Sequence, residues 1–136
     1  MQIFINQIFF AINMNMNNYR VNELGFLVPL NGINVKELRG DVMADKKIVY
    51  SWKDGCVHCS RLNDKFSKLS SVVQENKGHL IALCSGESVH WQYMLGQGIS
   101  AFPFLEFYRD GEVVDEIRGN SVSEGQLGEK IKDFLI

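Results

Sequence analysis

Two cysteines three positions apart, Cys56 and Cys59 in Ser51-Trp52-Lys53-Asp54-Gly55-Cys56-Val57-His58-Cys59, are the residues of this chain best suited to chemistry. That spacing, set between an apolar run and a helical pattern, lets two thiols close on each other. If a strand enters the motif and a helix leaves it, Cys56 stands at the helix N-terminus. There, unpaired backbone N–H groups and the positive end of the macrodipole favour a thiolate over a thiol. Cys56 is then the nucleophile, and Cys59, one turn further in, can attack a mixed disulfide at Cys56 and release the reduced partner. The implied chemistry is thiol–disulfide exchange.

Other uses of a paired thiol fit worse. Structural zinc wants four ligands, and the chain has neither a second Cys pair nor an H-x-x-x-H run; His58, His79 and His90 are scattered. A c-type haem attachment needs His directly after the second Cys, where Ser60 stands. No metal or organic cofactor is therefore expected. At 136 residues and 46% hydrophobic content the chain is about the size of one domain with a single core. A formal net charge of −2, with no run of Lys or Arg, gives no case for nucleic acid or an anionic membrane. Protein thiols and disulfides, with a redox partner that regenerates the pair, are the expected partners. The third cysteine, Cys84, lies in an apolar run and reads as an inert buried thiol. A redox pair plus a spare is no secreted disulfide scaffold. It suits a cytoplasmic location, or a virion were the source viral, with the secretory compartment the weaker reading.

The N-terminal runs Ile3-Phe4-Ile5 and Ile8-Phe9-Phe10-Ala11-Ile12 invite comparison with a signal peptide. No Lys or Arg precedes Arg20, Asn6 and Gln7 interrupt the apolar stretch, and Asn13 to Asn18 offers no small-residue cleavage site. The stretch is also too short to span a bilayer. Residues 1–22 are read as an apolar extension, adding a strand or a weak homodimer contact, ahead of a domain over 23–136. Met14 and Met16 are alternative translation starts.

The elements that must position the dithiol follow from pattern. Phe26-Leu27-Val28 reads as a short strand ending at Pro29, and Asn34 with Glu37 as a cap opening a brief helix that Gly40 closes. Lys46 to Trp52, β-branched and aromatic, is a central strand running straight into the motif. Leu62, Phe66, Leu69 and Val73 recur at helical spacing to about Asn76. His79 to Cys84 reads as a parallel strand covered on both faces, and Val89 to Leu95 as a short helix. Phe102 to Tyr108 is a strand turning at Asp110-Gly111 into Glu112 to Arg118. Ser123 with Gln126 resembles a capping box opening a terminal helix with Leu127, Ile131, Phe134 and Leu135 inward. The fold class is α/β, in the order β-α-β-α-β-α-β-β-α.

From about Phe26 to Ile136 the chain resembles the thioredoxin superfamily. The resemblance rests on Trp52 four positions before the first Cys of Cys56-Val57-His58-Cys59, on Gly98-Ile99-Ser100-Ala101-Phe102-Pro103, and on Asp110-Gly111-Glu112 followed by Gly119 and Ser123 to Leu127. It implies a central mixed sheet flanked by helices and a thiol–disulfide oxidoreductase. It also implies a cis Pro103 beside the dithiol, with Phe102 pairing its backbone to an extended substrate segment. Within the motif Trp52 shields the dithiol, and Val57 and His58 tune it. An imidazolium near the sulfur favours the thiolate and makes the disulfide more oxidising, and His in this position is what disulfide isomerase-like members show. Arg61 is either an ordinary solvated charge or a further influence on the potential. His90, Trp91 and Tyr93 read as packing on a helix.

Three positions depart from the family pattern. Tyr50 stands where members commonly have a buried Asp or Glu that assists proton transfer from the second Cys, so Cys59 is expected to lose its proton to water. Gly55 replaces a frequent Trp and leaves the approach open, and Asp64 replaces a helix-kinking Pro, so that a straighter helix is expected. The competing reading from another class is a non-catalytic binding or structural module on the same fold.

Overall fold

The computed structural model describes residues 16–136. The apolar runs between Ile3 and Ile12 lie outside the described residues. Six strands form one sheet: β1 (Tyr19–Val21), β2 (Leu27–Pro29), β3 (Lys46–Trp52), β4 (Leu80–Cys84), β5 (Phe104–Arg109) and β6 (Glu112–Arg118). Their spatial order is β1-β2-β4-β3-β5-β6. β4 runs parallel to both β2 and β3, while β1, β5 and β6 run antiparallel to their neighbours. Among the described residues five α-helices flank the sheet: α1 (Val35–Met43), α2 (Val57–Lys68), α3 (Ser70–Glu75), α4 (Ser88–Gly96) and α5 (Glu124–Leu135).

Alternation along β3 divides the interior into two layers. Ile48 and Tyr50 face Leu62 and Phe66 of α2, Val73 of α3, and Leu127 and Ile131 of α5. Val49 faces Leu38 and Val42 of α1 and Tyr93 and Met94 of α4. Phe26, Tyr50 and Phe66 meet as an aromatic trio, Phe26 and Phe66 edge to face at 4.8 Å between centroids. β3 and β4 are therefore covered on both faces, with buried residues at consecutive rather than alternate positions.

Local signals account for most element ends. The Asn34 side chain accepts the Glu37 N–H at α1, and Ser123 and Gln126 form the reciprocal capping box of α5. Asp110 and Gly111, with φ of 51° and 86°, make the tight turn between β5 and β6. Elsewhere tertiary packing overrides the local reading. Gly40 lies inside α1 rather than closing it, because Leu38 and Val42 on either side are both fully buried. The helix after the dithiol does not run straight to Asn76. It breaks at Leu69, five residues past Asp64, where Leu69 N–H is shared between the carbonyls of Lys65 and Phe66. Leu69 there presses on Gly128 of α5, its Cδ2 lying 3.1 Å from where a Cβ would stand. The strand expected from Phe102 begins instead at Phe104, since Pro103 has no N–H to give the ladder.

A further strand precedes the expected first one. β1 pairs with β2 from Tyr19 to Val21, so these residues, read from sequence as extension, belong to the sheet edge. Tyr19 is buried and its hydroxyl donates to Asp41 of α1 at 2.7 Å. β2, β4 and α4 are joined at the same end by His90. Its Nδ1 accepts the Cys84 N–H at 3.0 Å, which leaves Nε2–H to donate to the Pro29 carbonyl at 3.2 Å. Burial pushes the His90 pKa below its ordinary value.

The unfolded chain thus binds a proton at His90 more readily than the folded one. Stability is complete above about pH 6.5 and falls as pH drops from there toward the depressed folded value. Urea unfolding of wild type and His90→Gln between pH 7.5 and 5.5 should show a steeper loss of midpoint in the wild type; parallel slopes would contradict the assignment.

Candidate active site

β3 ends at Trp52, and five positions later α2 begins at Val57 with Cys56 as its N-cap. Gly55 makes the corner at φ 74°, a conformation that costs a side-chain-bearing residue and leaves glycine unstrained. A Cβ there would meet nothing within 4 Å, so the approach past Gly55 is open.

Cys56 and Cys59 are joined in a disulfide, their Cα atoms 5.2 Å apart. Cys56 Sγ accepts the Cys59 N–H at 3.1 Å, which places the outer sulfur on the free amides of the helix N-terminus. The same sulfur lies 3.8 Å from the carbonyl oxygen of Phe102. Cys59 is 1% exposed while Cys56 is half-buried, so of the two sulfurs the outer one is the more accessible. Val57 and His58, between the two, are exposed on the first turn.

The Phe102–Pro103 bond is cis, and Pro103 is buried with its carbonyl accepting the Gly119 N–H at 2.8 Å. The loop after β6 is thereby latched to the segment carrying Phe102. Lys65 of α2 holds the far side of that loop, donating to Asn120 Oδ1 at 2.6 Å and to the Val122 carbonyl. Lys53 Nζ sits over the Phe102 ring, 5.7 Å from its centroid. Trp52 packs partly buried against the core layer of α2 and α5.

Beneath the dithiol, Tyr50 fills the position where the resemblance pointed to a missing acid. It is 1% exposed, and its hydroxyl donates to Asn63 Oδ1 at 2.7 Å and also approaches the Cys59 carbonyl at 3.3 Å. Burial pushes its pKa up, so the phenol stays protonated and donates hydrogen bonds at neutral pH. Asn63, one of the polar spacers along α2 in the sequence, is in fact half-buried against Tyr50; its position four residues after Cys59 was the signal available for this contact.

Cys84 is not the fully buried thiol expected from its strand. It is half-exposed at the end of β4 and lines a cleft of about 370 Å³ with Trp52, Asp54, Glu87 and His90. Burial still raises its pKa, with the Asp54 carboxylate adding to the effect, which disfavours the thiolate. On α4, His90 and Tyr93 are buried while Trp91 is exposed. Among the described residues no cluster of His, Cys, Asp or Glu could hold a metal ion, and no helix is long and apolar enough to cross a membrane.

Comparison of the sequence with protein-family models and with curated proteins gives no match. The structure, by contrast, superposes on solved ones. Malassezia sympodialis thioredoxin matches with a TM-score of 0.60 at 20% identity, over 76% of this chain and 87% of that one. The oxidized form of mitochondrial thioredoxin 3 from Saccharomyces cerevisiae matches at 0.57 and 20%, over 74% and 90%. The oxidised thioredoxin of Plasmodium falciparum matches at 0.55 and 16%, over 74% and 92%. The chain has the thioredoxin fold. Within that thioredoxin fold, the Cys56–Cys59 pair occupies the strand-to-helix corner, with Phe102 and the cis Pro103 beside it.

After reduction, iodoacetamide should modify Cys56 first, Cys84 at least about tenfold more slowly, and Cys59 last, the order set by helix-terminal stabilisation, raised pKa and burial. Peptide mapping at timed quenches reads this directly. Equal rates at Cys56 and Cys84 would remove the electrostatic argument.

Proposed function

We propose that this chain is a thiol–disulfide oxidoreductase that exchanges electrons between Cys56/Cys59 and protein disulfides. The observation that carries the reading is the Cys56 sulfur held on the Cys59 amide at a helix N-terminus, bonded to a buried second sulfur. In the reducing direction the Cys56 thiolate attacks a client disulfide and expels one client thiolate, forming a mixed disulfide. The Cys59 thiolate then attacks Cys56 Sγ, the second client thiolate leaves, and the enzyme holds the Cys56–Cys59 disulfide. Two electrons and two protons pass to the client, and a reduced dithiol or glutathione-type partner restores the enzyme. The oxidising direction reverses each step.

Phe102 and Pro103 form the platform on which an extended client segment lies, in β-strand fashion along the Phe102 backbone. Cys59 gives up its proton to solvent, Tyr50 being a hydrogen-bond donor, and the resolving step is slow. Val57 and Trp52 shape the surroundings of the sulfurs, and His58 shifts the couple between a reductase and a strong oxidase. The protein works as a monomer or weak homodimer, in the cytoplasm or a virion, on partners that are neither nucleic acid nor membrane.

Tyr50 in place of an acid also favours a second reading, a binding module on the thioredoxin fold whose dithiol is not turned over. Insulin reduction separates the two. Wild type should precipitate insulin chains in the presence of dithiothreitol, Cys56→Ser should fall to background, and Cys59→Ser should accumulate a client-linked species on Cys56. A wild type no faster than Cys56→Ser, with clients still bound, would leave the binding module. His58→Pro should make the couple more reducing by roughly 30 mV for each unit of Cys56 pKa regained, read in a glutathione titration; an unchanged potential would remove His58 from the tuning.

A further inference from the structure

Charge around the dithiol is divided by side. Asp54 turns toward Cys84, its Oδ2 lying 3.9 Å from where a Cβ on Gly86 would stand, and it lines the cleft behind Trp52. Lys53, its neighbour in sequence, turns the other way and sits over the Phe102 ring. Phe102 is the residue whose carbonyl approaches Cys56 Sγ. Exposed His58 and Arg61 of α2 line an open recess of about 390 Å³ with Gly119, Asn120 and Ser121, and Gly119 is hydrogen-bonded to Pro103, the residue after Phe102. That recess has a fixed wall, because the 119–122 loop is held by Pro103 through Gly119 and by Lys65 through Asn120 and Val122.

We infer that Lys53 and Arg61 are specificity-determining residues that select client disulfides flanked by acidic side chains. The inference rests on the redox reading above and names its client class. A segment laid along Phe102 has the Lys53 ammonium beside it, and the Arg61 recess opens beyond Gly119, which Pro103 holds, while Asp54 in the motif is turned toward Cys84. An acidic residue next to the client cysteine gains attraction on that surface, and a basic one meets like charge. The chain as a whole carries a net charge of −2, so this preference opposes the protein's overall charge and must come from the site itself. Lys53 keeps its place through the aromatic face under it, which orders a side chain that would otherwise be free.

The test is single-turnover oxidation of the reduced full chain by two peptides, each with one internal disulfide. They are identical except that Glu or Lys flanks both cysteines, and products are read by mass spectrometry. At about 20 mM salt the Glu peptide should react about tenfold faster than the Lys peptide. At about 0.5 M salt, where the screening length falls to a few ångströms, the ratio should approach unity. In the Lys53→Glu/Arg61→Glu variant the low-salt ratio should invert. Equal rates for both peptides at low salt in the wild type, or a ratio unaltered in the double variant, would overturn the inference and leave the redox reading standing. Failure of the wild type to react with either peptide would overturn that reading, and the inference with it.

Discussion

The hydrogen bond from the Cys59 amide to the Cys56 sulfur joins chemistry to architecture in this molecule. It exists because residue 56 is the last residue before a helix, and a helix begins there because β3 ends at Trp52 and Gly55 turns the chain at a positive φ. A helix N-terminus leaves its first amides without partners inside the helix. Placing a sulfur on one of them satisfies the amide and gives negative charge on that sulfur a positive surrounding. Moving the helix start by one residue would rotate the sulfur off the axis and lose both effects.

What fixes that start is burial. β3 lies between β4 and β5, and its two faces are covered by separate helix layers, so its length and register are determined from both sides. Tyr50 and Phe66 pack together under the first turns of α2, and Tyr50 adds its hydrogen bonds to Asn63 and to the Cys59 carbonyl. Tyrosine in this layer supplies a hydrogen-bond donor to the Cys59 backbone where an acid would supply a proton acceptor. The buried layer holds the geometry of the pair firmly while contributing no base beneath it.

Legibility in the sequence followed the range of the interactions. The dithiol, the capping box at Ser123 and Gln126, and the Asp110-Gly111 turn are each determined by residues a few positions apart, and each stands where local pattern places it. The central strand and its neighbours on either side are likewise short runs of mainly apolar, β-branched or aromatic residues bounded by turn residues, which favours strands over helices. The break at Leu69 depends on Gly128, far along the chain, and the strand at Tyr19–Val21 depends on β2 offering an edge and on Asp41 receiving the phenol. Neither carries a periodic signal. Cys84 shows the same limit at one residue: the strand is apolar, but its last position reaches the rim of the sheet, where exposure is decided by the loops around it.

Gly55 and Phe102 complement each other across the sulfur. The absence of a side chain at Gly55 opens one approach to Cys56, and an aromatic ring at Phe102 supplies apolar surface on the other, with Lys53 parked on its face. The open corner at Gly55 and the cis proline segment therefore border the Cys56 sulfur on two sides. The Phe102 side carries the Lys53 ammonium, whereas the Asp54 carboxylate lies toward Cys84. The Phe102 segment is held in place because Pro103 accepts the Gly119 amide and Lys65 of α2 ties down the 119–122 loop.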